Sequence, residues 1–173
     1  MIELNKPAPP FEGLTAAVKG EFKKTGLADY RGRWLVLFFY PRDFTFVCPT
    51  ELRGFAQAEA EFKKLGCDLL AASTDSEWSH QAWLERDLPE VDYPVIADTS
   101  HELSRAYGVL NAEGAAERGL FIIDPEGRIK YFLVSAGSVG RSASETLRVL
   151  KALQSGDLCP LDWHAGEKTL GKA

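Results

Sequence analysis

Cysteine is scarce in this sequence, and the cysteines are far apart along the chain. Among 173 residues there are three: Cys48, Cys67 and Cys159. No two of them form a Cys-x-x-Cys pair, which excludes a disulfide scaffold and a cysteine-based zinc site. We expect these cysteines to serve either packing or transient redox chemistry.

Histidine is equally scarce. The three histidines are His80, His101 and His164. Their spacing is not that of metal ligands, and we interpret them as surface or tail residues. The histidines therefore indicate no metal site, and we also expect that the protein needs no cofactor.

Long apolar runs and excess positive charge are also missing. No stretch approaches the roughly 20 apolar residues of a membrane helix, and Met1–Leu4 does not begin a signal peptide. The formal net charge of −5 provides no general attraction to nucleic acid or to an anionic membrane. We predict a cytoplasmic protein that binds neither.

Strand and helix patterns alternate along the chain. A strand at Trp34–Tyr40, a helix from about Pro49 to Lys64 and a strand at Cys67–Ser73 predict a strand-helix-strand unit. The other predicted elements are a hairpin over 15–24, a helix over 76–88, a strand over 93–97, a helix over 100–107, strands over 119–123 and 129–134, and a helix opened by the Ser142-x-x-Glu145 capping box.

This order predicts an α/β protein with a thioredoxin-like fold, in which helices flank a central mixed β-sheet. We assign residues 1–155 to one domain. From Gly156 the pattern is irregular, and we assign 156–173 to a C-terminal tail.

The most informative stretch joins the predicted strand Trp34–Tyr40 to the helix that begins near Pro49, and it contains Cys48. Because Pro49 is favoured at a first helical position, Cys48 lies at the helix N-terminus, where free N–H groups and the helix dipole favour a thiolate. Thr45 could place a hydroxyl beside the sulfur. By position alone, Cys48 could equally be a small buried hydrophobic residue. Because it precedes proline, it could also be the helix cap rather than the first helical residue.

The residues from Pro41 to Glu51 read Pro-Arg-Asp-Phe-Thr-Phe-Val-Cys-Pro-Thr-Glu. This segment resembles the Pro-x-x-x-Thr-x-x-Cys signature of the peroxiredoxins. It is most similar to the form found in the typical two-cysteine branch, which includes the alkyl hydroperoxide reductase C proteins. The resemblance implies a thiol peroxidase whose site contains Pro41, Thr45 and the nucleophile Cys48.

A second segment, Arg118-Gly-Leu-Phe-Ile-Ile-Asp124, is similar to a family segment whose arginine approaches the reactive cysteine. The resemblance implies that Arg118 stabilises the thiolate and binds a peroxide oxygen, which a permanently charged guanidinium can do. Glu51 and Arg141 match positions that form a supporting ion pair in the family. Without the resemblance, all three would be interpreted as solvated charges at the ends of helices and strands.

A third segment, Leu158-Cys-Pro-Leu-Asp-Trp163, resembles the family's Val-Cys-Pro-x-x-Trp around the resolving cysteine. The resemblance implies that Cys159 condenses with the Cys48 sulfenic acid of the neighbouring subunit in an antiparallel dimer. The approach to Cys159 from the preceding helix is shorter than is usual, which restricts its reach. Cys67 matches no catalytic position, and we interpret it as structural.

The function predicted from these segments is the reduction of hydrogen peroxide and organic hydroperoxides to water and alcohols. The implied cycle passes through the Cys48 sulfenic acid and a Cys48–Cys159 intersubunit disulfide, which thioredoxin or a dedicated flavoprotein disulfide reductase reduces. The resemblance also implies a homodimer that can close into a decamer. The Gly-Gly-Leu-Gly insertion and C-terminal Tyr-Phe pair of many eukaryotic members are missing, which predicts resistance to overoxidation.

Three alternatives are open at this point. A one-cysteine peroxidase recycled by an external thiol would keep Cys48 and make Cys159 dispensable. An additional holdase chaperone activity of the oligomer would be tested by suppression of client aggregation with the Cys48→Ser variant. A thiol-disulfide oxidoreductase on the same fold is disfavoured because no Cys-x-x-Cys opens the helix.

Overall fold

The computed structural model describes all residues from 1 to 173. The strands are β1 Leu14–Val18, β2 Glu21–Thr25, β3 Trp34–Phe39, β4 Cys67–Ser73, β5 Val95–Ala97, β6 Arg118–Ile123 and β7 Ile129–Ser135. The α-helices are α1 Cys48–Lys64, α2 Glu77–Asp87, α3 Glu102–Ala106 and α4 Ala143–Ser155, and a short 3-10 helix spans Leu27–Tyr30. The predicted elements are confirmed, with small shifts at their ends.

All seven strands form one sheet in the order β2-β1-β5-β4-β3-β6-β7. The helical connections through α1 and α2 let β3, β4 and β5 run parallel, whereas the remaining neighbours are antiparallel. The predicted central mixed sheet flanked by helices is therefore confirmed.

The central strand β3 separates two apolar layers. Alternate residues such as Phe38 face the layer that contains α1, α2 and α4, where its ring stacks on Phe55 with 4.5 Å between centroids. The residues between them, such as Phe39, face the second layer beside Tyr107 and Phe121. Burial of β3 on both faces explains its unbroken apolar sequence.

The sheet register positions the candidate site. In the antiparallel pair of β3 and β6, Phe38 lies opposite Leu120. Arg118 stands two residues before Leu120, so the first residue of β6 comes beside the end of β3, where the loop to Cys48 departs. Residues 70 positions apart are thereby brought into contact.

Residues after α4 form no helix or strand, as predicted, yet they are held in place. Leu158 N donates to the Gly171 carbonyl at 2.8 Å, and Leu170 N donates to the Leu158 carbonyl at 2.9 Å. Arg148 of α4 donates to the Trp163 carbonyl at 2.9 Å, and the Trp163 side chain is buried. The segment therefore packs on α4 rather than extending into solvent.

No helix in the structure has both the length and the apolar character needed to cross a bilayer.

Candidate active site

Cys48 lies at the first residue of α1, beneath the loop that follows β3. Val47 is the N-cap and itself has helical dihedral angles, with φ −82° and ψ −41°. Pro49 occupies the second helical position at no cost, because the first N–H groups of a helix have no intrahelical partner. Cys48 is thus a first-turn residue rather than the cap, and only 1% of it is exposed.

Behind Cys48 lies a buried charged cluster formed by Glu51, Arg118 and Arg141. Arg118 Nη1 donates to Cys48 Sγ at 3.3 Å and to Glu51 Oε2 at 2.6 Å. Arg141 donates from Nε to Glu51 Oε1 at 2.7 Å and from Nη2 to Oε2 at 2.9 Å. Glu51 stands one helical turn after Cys48, so its carboxylate can accept from both guanidiniums. The three residues predicted as charges around the thiol are therefore brought together.

The cluster holds two guanidiniums and one carboxylate, which leaves one positive charge uncompensated. Burial opposes the charge of Glu51, but hydrogen bonds and charge from Arg141, with the charge of Arg118, outweigh it and lower the pKa of Glu51. Burial also opposes the charge of Arg118, but Cys48 and Glu51 outweigh it and raise the pKa of Arg118. Since both groups stay charged, a thiolate at Cys48 would neutralise the remaining positive charge.

An open cavity of about 640 Å³ lies over Cys48. Pro41, Thr45 and Arg118 line it together with Cys48. The Thr45 hydroxyl donates to the Arg42 carbonyl at 3.0 Å rather than to the sulfur. Thr45 is therefore beside the cavity as expected, but its hydrogen is occupied and its oxygen is left to accept a hydrogen bond.

The match to a known family covers most of the chain. Residues 4–132 match the AhpC/TSA family. The chain belongs to the AhpC/TSA family.

Relatives and solved structures agree with this family. The chain is 47% identical to Peroxiredoxin 2 of Drosophila melanogaster, over 98% of this chain and 92% of that protein. It is 47% identical to the thioredoxin peroxidase of Trypanosoma brucei rhodesiense, over 97% of this chain and 89% of that protein. The reduced 2-Cys peroxiredoxin of Plasmodium vivax superposes with a TM-score of 0.91 at 32% identity, covering 96% of this chain and 91% of that one.

These similarities confirm the predicted thioredoxin-like fold and the predicted class of enzyme. This member of the AhpC/TSA family is a thiol-dependent peroxidase.

One prediction about the chain is wrong: His80 is not a surface residue but is fully buried. Its Nδ1 lies 2.8 Å from Asp43 Oδ2, and its Nε2 lies 3.1 Å from the Ile96 carbonyl. Tyr40 and Ser79 donate to the two oxygens of the same carboxylate, each at 2.7 Å. Because Asp43 belongs to the loop before Cys48, the network fixes that loop to β3 and α2.

Sequence reasoning missed this network, although Asp43 lies inside the recognised segment. The pattern around His80 offered no signal, since a histidine between the polar residues Ser79 and Gln81 of a helix is typical of an exposed face. Only the packing of α2 against β1 and β5 turns that face inward. His101 is partly exposed and His164 is exposed.

Cys159 lies away from this cavity, four residues after the end of α4. Its sulfur is 3.5 Å from Ser155 Oγ and 3.6 Å from the Asp157 carbonyl. It lines a separate open groove of about 430 Å³ beside α4 and Tyr131. Within one chain, the two cysteines predicted to form a disulfide are therefore in different cavities.

Cys67, the first residue of β4, is as buried as Cys48, with 1% exposure. Burial first, and the nearby charge of Asp68 second, raise the pKa of the Cys67 thiol to about 12. All three cysteines are free in the structure. No group of His, Cys, Asp and Glu side chains is arranged to hold a metal ion.

Proposed function

We propose that Cys48 is the peroxidatic nucleophile and that Arg118, Thr45 and Pro41 form its peroxide site. The observation that carries this proposal is the 3.3 Å contact between Arg118 Nη1 and Cys48 Sγ within a buried cluster that has one positive charge in excess. A positive charge held beside a sulfur stabilises the thiolate, which is the reactive form. The substrates in this proposal are hydrogen peroxide and organic hydroperoxides.

In the first step, the Cys48 thiolate attacks the terminal oxygen of the hydroperoxide. The sulfur–oxygen bond forms as the oxygen–oxygen bond breaks, and the leaving oxygen takes a proton to become water or an alcohol. The sulfur is oxidised to a sulfenic acid while the peroxide is reduced. Arg118 supports this step because a fixed guanidinium stabilises the negative charge that develops on the oxygens.

Thr45 and Pro41 orient and shield the reacting atoms in this proposal. The Thr45 hydroxyl already donates to the Arg42 carbonyl, so its oxygen is available to accept a hydrogen bond from the hydroperoxide O–H group. Pro41 lines the same cavity and has no N–H group that could compete for the thiolate. Glu51 and Arg141 support Arg118 from behind rather than touching the substrate.

The second step in the proposal joins Cys48 to Cys159 of the partner subunit. The sulfenic acid condenses with that thiol, forming a disulfide and releasing water. The separate cavities of the two cysteines in one chain support an intersubunit reaction. A disulfide needs Cα atoms about 4.4 to 6.8 Å apart, and Cys48 is 1% exposed, so the first turn of α1 has to move before the partner's sulfur can reach it.

The remainder of the cycle regenerates both thiols. A dithiol donor, thioredoxin or a dedicated flavoprotein disulfide reductase, attacks the disulfide by thiol exchange. The cycle therefore belongs in a reducing compartment such as the cytoplasm. The assembly in this proposal is a homodimer that can close into a decamer, with residues 156–173 as the segment that carries the resolving cysteine.

A non-reducing denaturing gel after one equivalent of hydrogen peroxide tests the pairing, with free thiols blocked by alkylation. We expect a covalent dimer from the unaltered protein and none from Cys48→Ser or Cys159→Ser. Mixing these two variants under conditions of subunit exchange should restore one disulfide per mixed dimer, which an intramolecular disulfide cannot do. The Cys67→Ala variant is the control and should form the dimer normally.

Other outcomes would identify the alternatives. Loss of the Cys48 thiol without a dimer would contradict the intersubunit disulfide and favour a one-cysteine cycle. No loss of the Cys48 thiol would contradict its assignment as the nucleophile.

A further inference from the structure

The cavity over Cys48 has a second wall that the proposed chemistry does not use. It is formed by the segment Leu110–Glu117, which turns back immediately before β6. This segment contributes Glu113 and Glu117 to the lining of the cavity. Glu113 is exposed and Glu117 is half-buried, so both carboxylates stand at the entrance rather than at the base.

Hydrogen bonds hold this wall in a fixed shape. Asn111 Oδ1 accepts from the backbone N–H groups of Glu113 and Ala115, each at 3.0 Å. Asn111 Nδ2 donates to Glu117 Oε1 at 3.2 Å, which orients that carboxylate. Leu110 and Ala116 close the turn as an antiparallel bridge. The carboxylate of Glu117 and the backbone of Glu113 are thus held in fixed positions.

The second wall is also tied to the first. Thr74 Oγ1 donates to the Gly114 carbonyl at 2.9 Å and accepts from Arg42 Nη1 at 2.7 Å. Arg42 belongs to the loop that leads to Cys48 and lines the same cavity. The entrance therefore has one connected rim, with the carboxylates on one side and Arg42 on the other.

The charges of this rim do not balance. Arg118 is paired with Glu51, and Arg42 lies 3.8 Å from Asp75. Glu113 and Glu117 take part in no ion pair, and the side-chain partner of Glu117 is the neutral amide of Asn111. Asp75 offsets Arg42 at the rim, and the excess positive charge of the Glu51, Arg118 and Arg141 cluster lies at the base beside Cys48. The two glutamates therefore leave a net negative charge at the entrance.

We propose that Glu113 and Glu117 make this site discriminate between hydroperoxides by their charge. A neutral hydroperoxide enters freely, whereas one that carries a carboxylate is repelled before it reaches Cys48. The inference rests on the proposed role of Cys48 and adds a specificity that this role alone does not predict. Glu113 and Glu117 act on the approach of the substrate and not on the bond-making step.

The size of the effect follows from the position of the charges. For carboxylates several ångströms apart in largely aqueous surroundings, Coulomb's law gives about a two- to threefold effect per glutamate, and hence about fivefold for both. The repulsion is screened by salt, with a Debye length of about 10 Å at 0.1 M and about 3 Å at 1 M ionic strength. The discrimination should therefore be largest in dilute buffer.

The test uses a short-chain alkyl hydroperoxide with a terminal carboxylate together with its methyl ester, which lacks the negative charge. The added methyl group is the same in every variant, so a change in the ratio between variants reports the charge. The rate constant for Cys48 oxidation is measured for both compounds by rapid quenching and thiol alkylation. In the Glu113→Gln/Glu117→Gln variant, we expect the ratio of the acid's rate constant to the ester's to rise about fivefold at low ionic strength. The rise should largely disappear in 1 M salt.

The matched control is Glu126→Gln, which removes the same charge from the exposed turn between β6 and β7. It should leave the ratio at the value of the unaltered protein. Because Glu113 is exposed, Glu113→Lys provides a second variant that need not disturb the Asn111 contacts, and it should raise the ratio further than Glu113→Gln.

Two results would overturn the inference. One is an unchanged ratio in the double variant and in Glu113→Lys, and the other is an equal rise in Glu126→Gln. Failure of the proposed role of Cys48 would be visible separately, since the neutral ester would then leave the Cys48 thiol unoxidised in every variant.

Discussion

Cys48 and Cys67 are buried to the same extent, each with 1% exposure, but the charges around them are opposite. The sulfur of Cys48 accepts a hydrogen bond from the Arg118 guanidinium at 3.3 Å. Cys67 lies among apolar side chains, and the nearby Asp68 adds to the effect of burial in raising its pKa to about 12. Burial and a nearby carboxylate both disfavour the thiolate of Cys67, whereas Cys48 has a buried cation in contact with its sulfur.

The largest expected effect comes from removing one thiol or the other. Cys48→Ser should abolish peroxide consumption, because a serine hydroxyl beside Arg118 remains protonated and is a weak nucleophile. Cys67→Ala should retain peroxidase activity. The measurement is peroxide loss in the presence of excess dithiol. Substantial activity in Cys48→Ser would contradict the comparison.

A second test removes the carboxylate of Glu51 from the buried charged cluster beside Cys48. Glu51→Gln leaves two buried guanidiniums without a carboxylate, and breaking such a buried pair costs about 3 to 5 kcal/mol of unfolding free energy. Urea unfolding measures the loss. The matched control is Glu145→Gln, whose partner Arg148 lies at the same 2.7 Å distance as the Arg141 partner of Glu51, but on the surface. An exposed pair of this kind contributes about 0 to 1 kcal/mol, so equal losses in both variants would contradict our view of the cluster.

The lowered pKa of Glu51 also predicts how the free energy of unfolding depends on pH. Its pKa in the folded protein is lower than its ordinary value of 4.5, so the folded state binds fewer protons than the unfolded state in this range. The stabilisation is complete above about pH 4.5 and is lost as the pH falls through the lower folded pKa. Glu51→Gln should therefore show a weaker decline in unfolding free energy below pH 4.5 than the unaltered protein.

A third test removes the cation that distinguishes the two cysteines. Arg118→Ala should slow Cys48 oxidation by about 100-fold, as expected when one fixed donor is removed from a developing negative charge. Arg118→Lys should recover part of the rate, because it restores the charge without the planar set of donors. The second-order rate constant of Cys48 oxidation is the readout, and an unchanged value in Arg118→Ala would remove Arg118 from the site.

The smallest expected effect concerns Cys67 in the unaltered protein. With its pKa raised from 9.0 to about 12, Cys67 should resist alkylation at pH 8 until the protein unfolds, which mass spectrometry of the separate cysteine peptides can follow. The raised pKa of Cys67 stabilises the folded protein at low pH, whereas the lowered pKa of Glu51 stabilises it at high pH. The folded state keeps the thiol proton, so this contribution is complete below about pH 9 and is lost as the pH rises towards 12. Rapid labelling of Cys67 in the folded protein would contradict the comparison.

Much of the fold could be predicted from local patterns. The apolar run of β3, the capping box before α4 and the hairpin of β6 and β7 each carry a signal within a few neighbouring residues. Ser142 Oγ indeed accepts from Glu145 N at 3.1 Å. Such signals are short-range, and they were sufficient to place each element in the chain.

Long-range contacts could not be predicted in the same way. Nothing near His80 in the sequence indicates burial, because its partners Asp43 and Ile96 are 37 and 16 positions away. The local pattern therefore wrongly predicts a surface residue. The segment Leu110–Glu117 was not identified as a wall of the site for the same reason. Both features arise where separate elements meet at the end of β3.

The sequence by itself determined the order of strands and helices, the placement of Cys48 at a helix N-terminus and, through its recognisable segments, the set of residues expected around it. The tertiary structure decided which charges surround each cysteine. Asp68 adjoins Cys67 in the sequence, whereas the sequence around Cys48 does not give the sign of the buried charge at its sulfur. That sign follows from the antiparallel register of β3 and β6, which carries Arg118 across 70 residues to the Cys48 sulfur. Because electrostatic energy depends on distance and burial rather than on sequence separation, only the folded chain can fix it.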